Sequence, residues 1–479
     1  MLILNFFIVR YYVDKSNFEV FPVIVSVASL TITLLCVFLI PVDIYSVSTG
    51  ESEFTRTSIR ILYLILYCLV LIVCFGVIPF AWFYYDAYDA ESDSTVKRLI
   101  RASKYTIGFV VAVVILLVIG IFIRADDLNS NDAPDVWANK ILAQGRNSAT
   151  LSFTIACVTV LGYLVWCTYT AIGLSFLPLG LIKGRKSIEE DKKELHKKKE
   201  QLKKQRERSD DLEETELDNS TAEFISDEVR VLQKRALRLE QIDSRFEKIL
   251  GYCRPFSVVF GVIFLLLSLL LVISISLTAL DRTLHHINCG FGCGFILQYP
   301  EIFNPLDKLL IVLAKFFPLD YIVLSIIIMY VYFCTLHAIT EIGVKCFCLH
   351  MFKFQKDRTE PRALLMTSIL LMLSTLALNN SIVTLAPTYS NFGSQTYISN
   401  TTNTETTCSM DSPSCETTQL GTLVHGVQLN VKFIGVIFYC LTWIFVLIYF
   451  IGLIVACVRK KKSNVEEYSD DDEEEENWN

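Results

Sequence analysis

Eight stretches of this chain contain no Asp, Glu, Lys or Arg and are long enough to cross a lipid bilayer. They run 20–42, 61–85, 105–123, 147–182, 255–280, 321–340, 363–404 and 433–458. An α-helix needs about 20 residues to cross a hydrocarbon core of roughly 30 Å. Helices satisfy their own backbone hydrogen bonds in lipid, which open strands do not. The expected fold is therefore all-α, a polytopic integral membrane protein. The stretch 363–404 is longer than a crossing requires. Its apolar part ends near Ala386 and Pro387, and a Ser/Thr/Asn-rich loop follows.

Composition agrees with this. The chain is 53% hydrophobic and 19% charged, whereas a soluble protein carries about a quarter charged residues. That excludes a soluble enzyme and a secreted disulfide scaffold. The net charge of −7 offers no basic face for nucleic acid.

A ninth crossing is expected in part. Residues 1–13 are apolar except for Arg10 and too short to cross alone. They lack the basic start and small-residue cleavage site of a signal peptide, so they read as the remnant of a first span or as an interfacial segment. The expected organisation is a membrane region 1–182 (a partial span and four full ones), a cytosolic insert 183–254, a membrane region 255–458 with four spans and a lumenal loop 388–430, and a disordered acidic tail 459–479.

Lys and Arg set the orientation. With Arg10 and Lys15 cytosolic, alternation leaves only nine of the 43 basic residues on the opposite side: Arg56, Arg60, Arg124, Lys140, Arg146, Arg282, Lys308, Lys315 and Lys432. The cytosolic side receives Lys97 to Lys104, the insert after Lys183, Lys345 to Arg362 and the Arg459–Lys462 cluster. Nine spans then place the N-terminus outside and the C-terminus in the cytosol. The loop 388–430 carries an N-glycosylation sequon at Asn400, and Cys408 and Cys415 lie close enough in sequence to bridge in an oxidising lumen. Asn379-Asn380-Ser381 also matches the sequon, but inside a span. Asn219-Ser220-Thr221 matches on the cytosolic side.

The insert is basic at 183–208 and acidic at 209–228. Ile225, Leu232, Leu239 and Phe246 then recur at sevenths, with Ile242 and Ile249 between them, a short coiled-coil seam. The simpler reading is a helical hairpin packed on itself; the sharper one is a docking arm for a cytosolic partner. Cys457, just before the basic cluster, is a candidate for palmitoylation, with Cys346 and Cys348 weaker ones. Ser469 precedes Asp470-Asp471-Asp472, a target for an acid-directed kinase.

No phosphate-binding loop, HExxH or GxSxG motif is present, so neither an autonomous ATP-driven pump nor an enzyme is expected. Ionisable residues near the spans are the default functional candidates: Asp43 after Pro41, Asp320 in Phe317-Pro318-Leu319-Asp320-Tyr321, and His337, one helical turn from Glu341. The simpler expectation for each is an interfacial side chain reaching headgroups or water. His285 and His286 with Cys289 and Cys293 could hold zinc, form a disulfide through the cysteines, or do neither.

Several strings, in order, carry a resemblance. They are Leu39-Ile-Pro-Val-Asp-Ile-Tyr45, Pro79-Phe-Ala-Trp-Phe-Tyr-Tyr-Asp86, Lys104-Tyr-Thr-Ile-Gly-Phe-Val-Val111, and the run from Thr168 through Gly173, Pro178 and Gly180 to Gly184. After them come Phe317-Pro-Leu-Asp-Tyr-Ile-Val-Leu-Ser-Ile-Ile-Ile-Met-Tyr330, Leu385-Ala-Pro-Thr-Tyr-Ser-Asn-Phe-Gly-Ser-Gln-Thr-Tyr397 and Ile451-Gly-Leu-Ile-Val-Ala-Cys-Val-Arg-Lys-Lys-Lys462. The chain resembles the limb-region-type membrane protein family, which also includes a lipocalin receptor. The resemblance implies nine spans and residence in the lysosomal membrane, with some presence at the plasma membrane. It implies a part in moving cobalamin from lysosome to cytosol as cargo rather than cofactor, together with a subfamily D ABC half-transporter. It also implies links to a clathrin adaptor and to insulin-receptor traffic; a homodimer stays open. No cobalamin-binding residues transfer, and Cys289 and Cys293 correspond to no family site. The other reading is an endocytic receptor or trafficking adaptor. Glu360-Pro-Arg-Ala-Leu364-Leu365 fits an acidic dileucine signal for it, though those leucines open a span.

Overall fold

The architecture comes from a computed structural model. It describes residues 1–13, 19–87, 95–125, 148–184, 244–286, 301–346, 349–352, 354, 359–398, 405–408, 415–430 and 432–459, with a few positions between 193 and 204. A helix occupies each of the eight charge-free stretches. In chain order they are α1 Leu2–Tyr12, α2 Val20–Ser48, α3 beginning at Glu53–Ile72, α4 Thr95–Ala125, α5 beginning at Ser148–Val165, α6 Ser244–His286, α7 Pro305–Leu313, α8 Leu319–Ile342, α9 Pro361–Leu385, α10 Pro387–Phe392, α11 Gln419–Asn430 and α12 Lys432–Val458. The third helix passes through a π turn, Val73–Val77, into Ile78–Asp86, and the fifth passes through Trp166–Thr170 into Ala171–Lys183. Among the described residues, seven helices are long and apolar enough to cross a membrane: α2, α3, α5, α6, α8, α9 and α12. The stretch 105–123 lies within α4. The helix α1 has 11 residues, shorter than a crossing.

Two small antiparallel hairpins decorate the connections: β1 Val344–Cys346 with β2 Leu349–Phe352, and β3 Thr396–Ile398 with β4 Glu405–Thr407. Neither has the alternating pattern over several residues that would announce a strand. Each is short enough to depend on its loop.

Two compact units are distinguished. The larger comprises Met1–Phe176 and Leu266–Leu453. Its central element is α9, whose most apolar window is 72% buried, against 33% for α6. Burial on all sides explains its composition. Thr367, Ser368, Ser374, Thr375, Asn379, Asn380, Ser381 and Thr384 are all buried and face protein rather than lipid, the expected place for polar groups at membrane depth. Close approach depends on small residues. A Cβ at Gly162 would meet the carbonyl oxygen of Leu373, and one at Gly173 that of Cys334. Where α5, α8 and α9 meet, the Thr170 and Thr335 hydroxyls are 2.8 Å apart, and Ser374 Oγ lies 3.4 Å from Thr170 Oγ1.

In the other unit, Leu177–Leu265 with the chain from Ile454 onward, Lys183 Nζ donates to the carbonyls of Ala456, Cys457 and Arg459, each at 2.7 Å. This closes the C-terminus of α12, where carbonyls lack helical partners and a cation is favoured. Ser257 Oγ donates to Leu181 O. The heptad positions 225–242, Cys289, Cys293, Asn400 and Ser469 lie outside the described residues.

Candidate functional site

The larger unit concentrates its buried polar chemistry at one end, where α2, α6, α8 and α9 meet the short helices α7, α10 and α11. This loop end carries Cys408 and Cys415, which are disulfide-bonded. Each short helix begins on a buried side chain. Asn304 Oδ1 accepts from Leu306 N and Asp307 N at the start of α7, while its amide donates to Ser274 O, Thr278 Oγ1 and Leu385 O. Asp307 Oδ1 accepts from Tyr389 N, in the first turn of α10, at 2.7 Å. Asp43 accepts from Gln419 N at 3.2 Å and Leu420 N at 2.8 Å, while Thr418 Oγ1 accepts from Gly421 N. The first three amides of α11 are thereby satisfied, two of them by a carboxylate contributed from α2. Anionic acceptors at a helix N-terminus are doubly favoured, by hydrogen bonding and by the helix dipole.

These contacts revise the expectation for two candidates. Asp43 and Asp320 are each 1% exposed and do not reach headgroups or water. Asp320 Oδ2 accepts from Tyr389 Oη at 2.7 Å. Both carboxylates are structural clips that hold α10 and α11 to the spans. His337 does not join them. It lies 17 residues beyond Asp320 along α8, about 25 Å at the helical rise, half-buried near the other end of that helix. Burial pushes the Asp307 carboxyl above the usual carboxylate range, and burial together with Asp320 pushes the Tyr389 phenol up.

A second layer lies deeper along α9. Asn379 Nδ2 donates to Tyr67 Oη of α3 at 3.0 Å. Asn380 Nδ2 and Ser381 Oγ both donate to Tyr163 Oη of α5, at 2.7 and 3.1 Å. Arg282 of α6 is 7% exposed and donates from Nη2 to Thr384 Oγ1 at 3.1 Å. Its neighbour Asp281 accepts from Glu301 N and, less closely, Ile302 N, and contacts His285 Nδ1. His425 of α11 feels the Arg282 charge; burial first, then that charge, lowers it to about 4.

Sequence reasoning missed this layer for a definable reason. Cutting the chain at charged residues ended a stretch at 280, so Asp281 and Arg282 fell into a loop by construction, although α6 continues to His286. Asn379-Asn380-Ser381 registered only as a sequon. Three consecutive polar residues inside an apolar span were the available signal for a buried seam.

Two small pockets lie in this unit. One is lined by apolar residues, among them Leu306, Leu324, Ile328 and Leu378. The other is lined by Tyr163, Trp166, Ser381, Thr384, Thr442 and Phe445 with Ile275. Each has room for about one water-sized particle. Among the described residues no group of three or more His, Cys, Asp or Glu side chains could hold a metal ion.

Comparison with known proteins places this arrangement. The LMBR1-like membrane protein family matches residues 1–248. The chain is 40% identical over 485 residues to a Dictyostelium discoideum protein named probable lysosomal cobalamin transporter, covering 97% of this chain and 94% of that one. This chain belongs to the LMBR1-like membrane protein family. It is also 33% identical over 496 residues to the lysosomal cobalamin transport escort protein LMBD1 of Mus musculus, covering 96% and 91%. It is 31% identical over 520 residues to a probable lysosomal cobalamin transporter of Nematostella vectensis, covering 97% and 93%. No solved structure matches it.

Proposed function

We propose that this chain is a multi-pass escort of the lysosomal membrane that serves the export of cobalamin to the cytosol, while the energy-coupled step belongs to a separate transporter. The observation that carries the reading is similarity along nearly the whole chain to proteins named for lysosomal cobalamin transport and escort. Physical features are consistent with it. The chain has no phosphate-binding loop. An escort needs none, because the energy-coupled step belongs to its partner.

The partner we propose is a subfamily D ABC half-transporter, with the loop end in the lumen, Asn400 glycosylated and the basic cluster after Arg459 in the cytosol. Exposed Cys457 is proposed as palmitoylated, and a clathrin adaptor as the route of delivery. The endocytic-receptor reading gains nothing, since Leu364 and Leu365 of its dileucine signal are 6% and 0% exposed.

The test is a pull-down from detergent-solubilised lysosomes. An ABC half-transporter should co-purify with the chain and be lost when 183–250 is deleted. Its absence from the full-length pull-down would overturn the partnership.

A further inference from the structure

We infer that the outward face of α7, with the turn that follows it, is a binding surface for the headgroup of an anionic phospholipid in the leaflet at the loop end. The inference starts from where α7 sits. Leu306 and Leu310 of its inner face line one pocket with Leu324 and Ile328 of α8 and Leu378 of α9. Leu324 and Ile328 lie five and nine residues into α8, and Leu378 lies seven residues before the end of α9. At the helical rise these partners are about 8–14 Å inside their spans. A helix packed at that depth has lipid, not water, beside it. Protein covers its inner face, so its outer face meets acyl chains and headgroups.

The sequence divides α7 accordingly. Leu306, Asp307 and Leu310 are buried. Lys308, Leu309 and Val312 are exposed on the other side, and Lys315, Phe316 and Phe317 are exposed in the turn that leads to α8. Lys on a helix face with apolar neighbours is the pattern of an interfacial segment. The level of the headgroups is marked independently. Phe317, Tyr321 and Tyr45 cluster with ring centroids 5.6–6.3 Å apart, and tyrosines gather where hydrocarbon gives way to headgroups.

Charge selects the lipid. A lysine facing lipid lays its stem along the chains and raises its ammonium to the headgroups, where a net negative headgroup favours it over a zwitterionic one. The carboxylates nearest in the chain are committed elsewhere. Asp307, the charge beside Lys308, accepts from Tyr389 N, and Glu301 faces His285 Nε2 at 3.3 Å. Asp307 is the sole acid of α7 and is buried, so the outer face of the helix is purely cationic above an apolar base. That order, charge over chains, is the order of the lipid itself.

The experiment places the full-length protein in phosphatidylcholine nanodiscs with a trace of photoactivatable phosphatidylglycerol or photoactivatable phosphatidylcholine, and maps the labelled peptides by mass spectrometry. A lysine near an anionic surface favours such a lipid about fivefold. Labelling over residues 303–319 should therefore be about tenfold stronger with phosphatidylglycerol. Lys308→Gln with Lys315→Gln should bring the ratio close to one, Lys308→Arg with Lys315→Arg should keep it, and Lys97→Gln on α4 should leave it unchanged. Equal labelling by the two lipids in the wild type, or an undiminished ratio in the double Gln variant, would overturn the surface. So would a double Gln variant that keeps the ratio but loses a co-purifying membrane protein, which would give the face to a protein partner. Should the Gln variant fail to fold, the wild type in molar salt decides: screening should collapse the ratio, and a ratio indifferent to salt refutes the inference.

Discussion

At the residue scale, the chain places carboxylates where a membrane protein can least tolerate them and binds each one. Asp307 is the instructive case. Its carboxyl is raised by burial, so the folded state holds its proton more tightly than the unfolded chain. Stability is then greatest in acid and falls as pH rises from the unfolded value near 3.8 through the raised one. Asp307→Asn preserves an oxygen to accept from Tyr389 N and should flatten that fall, read as the melting temperature of purified protein from pH 4 to 7. His425 has the opposite sign. Lowered from 6.5 to about 4, it contributes stability above pH 6.5 that is lost as pH falls towards 4. His425→Gln should shrink the loss of melting temperature on acidification. If both variants reproduce the wild-type profile, neither group is buried as described.

At the element scale, short helices are held by side chains from long ones, and spans approach through glycine. Asp43→Ala would strand the amides of Gln419 and Leu420 at a cost of about 1–3 kcal/mol. It should loosen α11, visible as faster hydrogen exchange over residues 419–430 with little change in α2. Gly173→Val puts a branched side chain where even a Cβ meets Cys334 O. The cost should be about 1–3 kcal/mol from overpacking, whereas Gly180→Val, with open space around it, should melt like wild type. The spans themselves were legible because lipid imposes one strong rule: about 20 residues without charge. The chemistry inside them was not. That rule reads Asn379, Asn380, Ser381 and Thr384 as neutral filler and places Asp281 and Arg282 outside a helix that includes them. Likewise it ranked Asp43 and Asp320 as interfacial, because the short helices they clip, α10 and α11, sit in a stretch read as a polar loop. What decides burial there is which helix covers which, and no local pattern carries that.

At the scale of the whole molecule, the all-α fold was readable from the charge-free stretches, and the family and the transport role from ordered strings along the chain; the similarity of nearly the whole chain to its relatives carries the latter two. Orientation rests on basic residues, and it predicts that Asn400→Gln removes a glycosidase-sensitive mass while the acidic tail stays accessible to cytosolic protease. The escort role makes the more demanding prediction. The direct measurement is delivery of labelled cobalamin in cells lacking this protein, with and without its return. Label should accumulate in lysosomes and disappear from the cytosol when the protein is absent, and cytosolic delivery should recover when it is restored. Normal cytosolic delivery without the protein would contradict the account.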